Sequence, residues 1–592
     1  MLARMAVDST TALSDLALPT PRLRLENYGA LRGLTVALAF FPSAWRAISQ
    51  RQINPSYTFH IFDRRGHAIG ISGSELLYPT TAADLRLLEQ PILRLEDRRF
   101  YGHRGIDFWG VLRATVANIK ARSWVQGAST ITQQLVRNAL LSPHRSILRK
   151  ALEVLLAWKC ERHYSKEEIL RLYSEVVYMG HGARGFVSAS KTFFRKPLCR
   201  LSEANIAGLL GLLRSPARFS PINHWTEFLR RSSFVQTITG LGDLCVQQSA
   251  PVINPIQPRR LCKPRLATLI RHDLFANGIT SSPARVGTTL DSTLQSKLDT
   301  ILRRASKAKS VSHCAAIVVS NANLDVLAEA AWSNGTEQEF SPSYFGALQP
   351  GSTFKTFTLL AAIEHGIPLD HVLESSPYTS RKFSARPGQP WQVRNYGHVY
   401  RGKIPLLEAF RVSDNTAFAR LLELLDIDRV YETYKRFALC DSRSASPAIV
   451  LGGIARGISL RRLVEAYSCI ARDRQLQRVS IATHVELYDK SGTYIAARKE
   501  GQQLIEPWVC EYLRLALREA GRTIGGKLVS GKTGTTSRGN IFVGYTEEVS
   551  MAVWVGFRRA IPEYQRKTGA AVRLLDEVAD YLFGPTGASL KI

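Results

Sequence analysis

Between residues 80 and 215 apolar residues recur at helical intervals and prolines are few. In HRSILRKALEVLLAWKCERH (144–163), Ile147, Ala151, Leu155 and Trp158 follow one another at spacings of 4, 4 and 3, which lines them along one helix face. The next helix opens at SKEE, where Ser165 as N-cap and Glu168 three residues on form a capping box. Its apolar residues are Ile169, Leu170, Leu172 and Tyr173, and Gly180 to Gly182 are expected to stop it. The pattern changes at 245–290, where pieces such as APVINPIQPRRLCKPR predict a connector with little core of its own. Beyond it, CAAIVVSNANLDVLAEAAW (314–332) reads as two strands joined by the turn NAN. STFKTFTLLAAIEHG (352–366) reads as a helix, and NIFVGYT and SMAVWVGF as two more strands. The first half is therefore mostly α and the second α/β, with no internal repeat.

Composition narrows the class. A chain of 592 residues is too long for one ordinary core, so two or more domains are expected. Hydrophobic residues at 45% and charged residues at 21% are an ordinary globular mixture. The formal charge of +29 favours anionic partners: nucleic acid, lipid headgroups or a phosphorylated substrate. Nucleic acid is the weaker of these, because no zinc-finger spacing, RNP-like motif or basic zipper is present. The eight cysteines are scattered without a CxxC, so they point to neither a zinc site nor a disulfide scaffold and leave the compartment open. Residues 1–27 read as a flexible head. In GALRGLTVALAFFPSAWRAI (29–48) the charge-free core, Gly33 to Trp45, is 13 residues and contains Pro42. That is shorter than the ~20 residues a membrane span needs, so the segment by itself reads equally as an anchor or as a buried helix.

Candidate chemistry in the second half comes from three short patterns. SxxK occurs at Ser188–Lys191, Ser306–Lys309 and Ser352–Lys355. Ser188 lies in a Gly-rich turn region, and Ser306 lies in RRASKAKS, which reads as a basic solvated face. Ser352 alone follows QPG and opens an apolar helix. A spacing of three puts Ser352 and Lys355 on one helix face, where the positive end of the dipole disfavours a protonated lysine. KTG occurs in PEYQRKTGAA (567–569), which has no strand character, and in LVSGKTGTT (532–534), ahead of two strands. VSDNTA supplies Ser413 and Asn415 between the two. A serine nucleophile with a lysine base, a Ser/Asn pair to move protons and hold an amide, and a Lys-Thr-Gly strand to bind a carboxylate make an acyl-transfer site. The order of these motifs resembles the transpeptidase domain of penicillin-binding proteins. TTLDSTLQ, ALQPGSTFKTF, VRNYGHVYRGKIPLLEAFRVSDNTA and FVGYTEEVSMAVWVGF carry the likeness further.

The first half contains, in order, EDRRFYGHRG, GASTITQQLVRN, RKALE, KEEILRLYSEVVYMG and RSPARFSP. Singly each has a plain explanation: a solvated basic loop, a helix capped at Ser129, a surface ion pair between Arg149 and Glu153. As a set they resemble the five motifs of family 51 peptidoglycan glycosyltransferases. Together the two halves resemble a class A, bifunctional penicillin-binding protein.

That resemblance implies a multidomain α and α/β protein: a lysozyme-like helical glycosyltransferase domain and a transpeptidase domain of the β-lactamase/penicillin-binding α/β type. The expected division is 1–50 head and membrane anchor, 55–235 glycosyltransferase, 236–295 linker and 296–592 transpeptidase. Its substrate would be lipid II, an undecaprenyl-pyrophosphate disaccharide-peptide. Cations crowded round a carboxylate favour its ionised form, which suits a base. By the motif match Glu96 would be that base and Glu153 the second carboxylate. Arg137, Arg149 and Lys150 would contact the pyrophosphate, and Asp97, His103, Ser129, Thr130, Gln133 and Gln134 would shape the cleft. In the second domain Ser352, Lys355, Ser413, Asn415 and Lys532 would be catalytic, with Thr533, Gly534 and Thr535 binding substrate. Transpeptidation needs no cofactor; a divalent cation (Mg or Mn) at the lipid II pyrophosphate is compatible with the family's chemistry. Partners would be lipid II and nascent peptidoglycan, β-lactams as inhibitors, the membrane and cell-wall assembly proteins, with no nucleic acid. The expected place is the cytoplasmic membrane, through a single N-terminal anchor, with the catalytic domains on the periplasmic or cell-wall side. Two positions depart from the family pattern. Glu175 stands where the fourth motif usually has Asn, and Asn540 and Ile541 stand where Asp and Trp usually follow the KTG strand. The second departure keeps open an active glycosyltransferase with a silent penicillin-binding domain. A β-lactamase fused to a lysozyme-like hydrolase and a non-catalytic wall-assembly scaffold are the other readings.

Overall fold

A computed structural model describes residues 57–583, except 73–75, 122–128, 142–146, 242–262, 280–281, 339–340, 387–388, 441–445, 455, 473–474, 489–492, 496–500, 525 and 560–568. The head, the apolar 29–48 segment and nearly all of the second KTG lie outside the described residues.

The first half is helical: α1 (Ala82–Glu96), α2 (Phe108–Ala121), α3 (Ile131–Leu140), α4 (Ile147–His163), α5 (Lys166–Val176), α6 (Glu203–Leu212) and α7 (Trp225–Thr239). Most of the starts are set by side-chain caps that satisfy orphan N–H groups. Thr81 forms a capping box with Asp84 on α1, and Ser165 forms one with Glu168 on α5. The cap of α3 is Thr130 and not Ser129; its hydroxyl accepts from Gln133 N at 3.2 Å, while Ser129 is left facing Lys150. Helix α5 ends at Val176, before the glycines expected to stop it. Gly180 ends the first of two short strands, Tyr178–Gly180 and Ala183–Arg184, and Gly182 lies in the turn between them. The sequence EANIAGLLGL is apolar on every side, and α6 is accordingly buried from Ile206 to Leu212 at the centre of this core.

The second half is built on a seven-stranded antiparallel sheet. Its strands are β1 (Val311–Ser320), β2 (Val326–Ser333), β3 (Thr336–Glu337), β4 (Arg522–Ile524), β5 (Lys527–Thr536), β6 (Gly539–Tyr545) and β7 (Val549–Phe557), in the order β4-β5-β6-β7-β1-β2-β3. The near-continuous apolar runs of β1 and β7 follow from burial on both faces. On β1, Ala315, Ile317 and Val319 enter one core, and Cys314, Ala316 and Val318 enter the other. The helices of this half are α8 (Pro264–Ala276), α9 (Ser292–Ala305), α10 (Lys355–Glu364), α11 (Asn415–Leu424), α12 (Leu460–Ala471), α13 (Pro507–Glu519) and α14 (Gly569–Phe583). Helices α9 and α14 cover one face; α10, α12 and α13 pack on the other.

Three readings from sequence are corrected here. The described part of the connector is core: α8 buries Leu266, Leu269, Ile270 and Leu274. It is followed by strand Pro283–Thr288, central in a five-stranded sheet that also takes in His60–Phe62, Ala68–Ile71, Ala482–Leu487 and Thr493–Ile495. Pro264 is the first residue of α8 and Pro283 the first of that strand. Ser306 is not solvated. It caps the end of α9, is fully buried, and donates to Arg303 O at 2.9 Å while accepting from Gly335 N. Ser188 sits in a short helix, Gly185–Ala189, and accepts from Tyr78 N.

Arg265 on α8 holds this joint to the sheet. Fully buried, it pairs with Glu329 at 3.0 Å, Glu337 at 3.2 Å and Asp299 at 3.3 Å, and donates to Glu329 O and Ala331 O. Removing one partner of a buried ion pair strands the other charge. Arg265→Met is expected to cost about 3–5 kcal/mol in the second half, read as a lowered thermal transition. The double change Arg265→Met, Glu329→Leu should recover much of that loss; no recovery would show that packing rather than charge pairing holds the joint.

Candidate active sites

The first site forms where α1, α3 and α5 meet. Glu96 is the last residue of α1, and its Oε2 accepts from Gln134 Nε2 at 2.9 Å. Gln134 Oε1 in turn accepts from the hydroxyl of Tyr173 on α5 at 3.3 Å, which fixes which end of the amide faces Glu96. Burial and the charge of Glu96 push the Tyr173 hydroxyl well above its usual pKa, with Arg137 opposing, so this phenol stays a donor. Asp97, the C-cap of α1, is buried and receives Ile131 N and His103 Nε2, both at 3.0 Å, which locks the loop after α1 to the start of α3. Thr130 donates to Gly105 O at 2.7 Å and closes the same loop. Beside it Glu153 is almost fully buried between Arg149 (3.3 Å) and Lys150 (3.0 Å), so this is not the surface ion pair that i, i+4 spacing suggests by default. Lys150 also reaches Ser129 at 2.9 Å and Gln133 at 3.3 Å. The site sets one carboxylate, Glu96, on Gln134, next to Gln133, which Lys150 reaches from the Arg149–Glu153 cluster, an arrangement that suits proton removal next to a leaving anion.

Sequence reasoning did not single out two arginines near this carboxylate. Arg231 on α7 lies against Phe219 and Phe234 and is held below its usual pKa by burial and by Arg214, while Glu96 pulls it up. Arg214 begins RSPARFSP and could have been named from that motif; Arg231 lies in ordinary amphipathic helix and gave no signal.

The second site forms where α10, the start of α11 and β5 converge. Ser352 lies half-buried in the turn Gly351–Phe354 that leads into α10, and Lys355 is the first residue of that helix. Lys355 is fully buried; its Nζ donates to Ser413 O at 2.7 Å and Asn415 Oδ1 at 2.7 Å, with Ser413 Oγ at 3.3 Å. Burial first, and then the charge of Lys532, press Lys355 far below the usual lysine pKa, with Asp414 opposing. This downward pressure on Lys355 comes from desolvation and a neighbouring cation. Ser413 adopts φ +59°, a left-handed conformation costing ~1–2 kcal/mol for a non-glycine residue. Its neighbours hold it there. Asn395 Oδ1 accepts from Asn415 N (2.8 Å) and Thr416 N (3.0 Å), and its Nδ2 donates to the buried Asp414 at 2.6 Å. Nothing in the sequence around Asn395 signals this role, because its two-sided grip on the Ser413–Thr416 turn exists only in three dimensions.

Lys532, Thr533, Gly534 and Thr535 run along β5 directly beside the Ser352 turn. A Cβ on Gly534 would stand 2.2 Å from Pro350 O, so only glycine lets the strand come this close. Lys532 is buried, and that burial lowers it to about 8. Asn540 pairs with Thr535 and Ile541 with Gly534 on the adjacent strand, and both are buried. Ile541 packs in the main core opposite Trp554 of β7.

Residues 80–239 match the transglycosylase family and residues 315–565 the penicillin-binding protein transpeptidase domain, which together exceed half of the chain. The chain belongs to the class A, bifunctional penicillin-binding proteins. It is 26% identical to penicillin-binding protein 1A of Neisseria flavescens over 91% of this chain and 84% of that one. It is likewise 26% identical to penicillin-binding protein 2D of Bacillus subtilis, over 84% and 76%. The fold is that of penicillin-binding protein 1A from Haemophilus influenzae, with a TM-score of 0.59 at 16% identity over 92% of this chain and 94% of that one. A class A penicillin-binding protein polymerises peptidoglycan glycan strands and cross-links their peptides, and those are the activities of this chain.

For the penicillin-binding domain, a lysine at about 8 is fully charged below that pH and loses its charge above it. Acylation of the domain by a penicillin, which bears a carboxylate, should therefore fall as pH rises through about 8. Lys532→Arg keeps the charge and should abolish this fall; an unchanged basic limb would remove Lys532 from carboxylate binding.

Proposed function

We propose that the glycan donor and acceptor are lipid II and the growing strand, and that Glu96 is the base. Glu96 takes the proton of the acceptor 4-hydroxyl, the freed oxygen bonds to the donor's anomeric carbon, and the bond from that carbon to the pyrophosphate breaks. Arg137, Arg149 and Lys150 meet the departing pyrophosphate, while Glu153 holds the last two in place. Gln134, oriented by Tyr173, keeps the Glu96 carboxylate aimed. A protein-held divalent ion does not fit the residues present. Asp97 and Glu153 are already taken up by protein donors, and no group of three or more acidic, His or Cys side chains suited to a metal occurs among the described residues.

In the second domain neutral Lys355 takes the proton of Ser352, whose oxygen attacks the penultimate D-Ala carbonyl of a stem peptide. The terminal D-Ala leaves with a proton relayed through Ser413, and an amine of a second strand resolves the acyl-serine. Lys532, Thr533 and Thr535 hold the substrate carboxylate. The observation that carries the reading is that each half's motifs converge on one reactive group, Glu96 or Lys355, with its partners built from separate elements.

The reading places the catalytic domains on the cell-wall face of the cytoplasmic membrane, anchored through 29–48. Helix α2 supports apposition to lipid: Phe108, Trp109, Leu112, Val116 and Ile119 are exposed, Phe108 at 76% and Ile119 at 70%, beside exposed Arg113 and Lys120. Such a patch suits an interfacial helix. No helix among the described residues is long and apolar enough to cross a membrane.

Purified protein supplied with lipid II in detergent should yield polymer that muramidase cuts into cross-linked dimers, read by mass spectrometry. Glu96→Gln should abolish all product, and Ser352→Ala only the cross-links. Polymer without cross-links from the unaltered chain would leave a silent transpeptidase, and absence of polymer would overturn the reading.

A further inference from the structure

Glu175 departs from the family's usual Asn, and the structure gives it a task that an Asn could not perform in the same way. Its carboxylate is fully buried and takes three donors: Tyr57 OH on Oε2 at 2.7 Å, and Thr80 N at 3.0 Å and an Arg171 guanidinium nitrogen at 3.1 Å on Oε1. An amide offers a single acceptor oxygen, and Asn is a methylene shorter. Next to it Ser174 Oγ donates to Thr80 Oγ1 at 3.0 Å.

The elements so joined are the two that hold Glu96. Thr80 immediately precedes the Thr81 cap of α1, and α1, with Pro91 inside it, runs from there to Glu96. Glu175 lies two residues after Tyr173 on α5, and a two-residue step turns about 200° round a helix. Tyr173 faces the cleft and sets Gln134, which bonds Glu96; Glu175 faces away and grips the entry to α1. The carboxylate therefore fixes both ends of one loop of contacts: Glu175 to Thr80, along α1 to Glu96, through Gln134 to Tyr173, and back along α5.

Tyr57 ties that loop to the rest of the molecule. Its ring meets Tyr488 edge-on at 5.9 Å, its carbonyl accepts from Arg271 of α8 at 3.1 Å, and Tyr488 donates to Thr58 O at 2.5 Å. Tyr488 follows strand Ala482–Leu487 and packs against the core of the helical half.

We propose that Glu175 is a positioning residue for glycosyl transfer: together with Tyr57 it holds α1 and α5 in the register that aims Glu96 at the acceptor hydroxyl. It touches no reacting atom. The inference rests on the reading of Glu96 as base, and a small displacement of such a group lowers turnover more than binding.

The test uses the full chain, lipid II and the variants Glu175→Leu, Glu175→Gln and Tyr57→Phe, with penicillin acylation of Ser352 counting folded molecules. Glu175→Leu should lower the polymerisation kcat per folded molecule about tenfold or more, with KM for lipid II within about twofold. Glu175→Gln, which keeps length and one acceptor, should restore part of the loss. Tyr57→Phe, outside both helices, should lower kcat in the same sense by a smaller factor, and it decides the matter if Glu175→Leu does not fold. Unchanged kcat in Tyr57→Phe and Glu175→Gln, or a raised KM with kcat intact, would overturn the proposal. Glu96→Gln is run alongside: polymer from that variant sinks the base assignment itself, whatever the Glu175 variants do.

Discussion

A charge taken out of water must either find partners or give itself up, and both active sites are arranged by that constraint. In the helical half, buried Asp97 and Glu153 are met by His103, a backbone N–H, Arg149 and Lys150. Those same contacts set the loop after α1 and the cationic wall of the cleft. In the α/β half, Lys355 finds mainly neutral acceptors and a neighbouring cation, and these press it far below the usual lysine pKa, which favours a base. One physical rule thus makes an electrostatic cradle in one domain and a readily deprotonated amine in the other.

The architecture serves this desolvation. The Ser352 turn is covered by β5, and Gly534 is what permits β5 to lie against it. The Glu96 carboxylate sits at the C-terminal end of α1, where the oxygen dipoles of a helix do not favour an anion. It is held by Gln134 instead. The two halves meet through ordered contacts. The five-stranded sheet takes strands from before the helical half and from late in the chain, and Arg265 bolts the connector helix to the main sheet. Rigidity across the joint is the setting in which a buried carboxylate such as Glu175 can influence a distant catalytic group.

The two departures from the family pattern look different once placed. Glu175 is partnered on every side, so the longer acid is accommodated with Tyr57 and Arg171 and not by loosening the cleft. Asn540 and Ile541 lie inside the sheet, where Ile541 fills core volume opposite Trp554. Neither position could be judged from its neighbours in the chain alone, because Glu175 meets Tyr57 and Thr80, 118 and 95 positions away, with only Arg171 nearby on its own helix, and Ile541 meets a residue of another strand.

The sequence by itself determined the periodicities, the Ser165–Glu168 capping box, the paired strands of the second half, the motif sets and hence the family and both activities. These rest on local geometry or on residue types that a reaction demands. It misjudged burial at two places, Ser306 as solvated and the connector as having little core, and the default explanations for Arg149–Glu153 as a surface pair and Ser129 as a cap do not hold either. Only the tertiary structure decided that Lys355 is pressed below the usual lysine pKa chiefly by desolvation, that Asn395 and Asp414 hold the strained Ser413 turn, and that Arg231 reaches the field of Glu96. The reason is common to all of them. Local order is set by neighbours a few residues apart, whereas burial, and with it the state of every charge, is set by elements that meet across the fold.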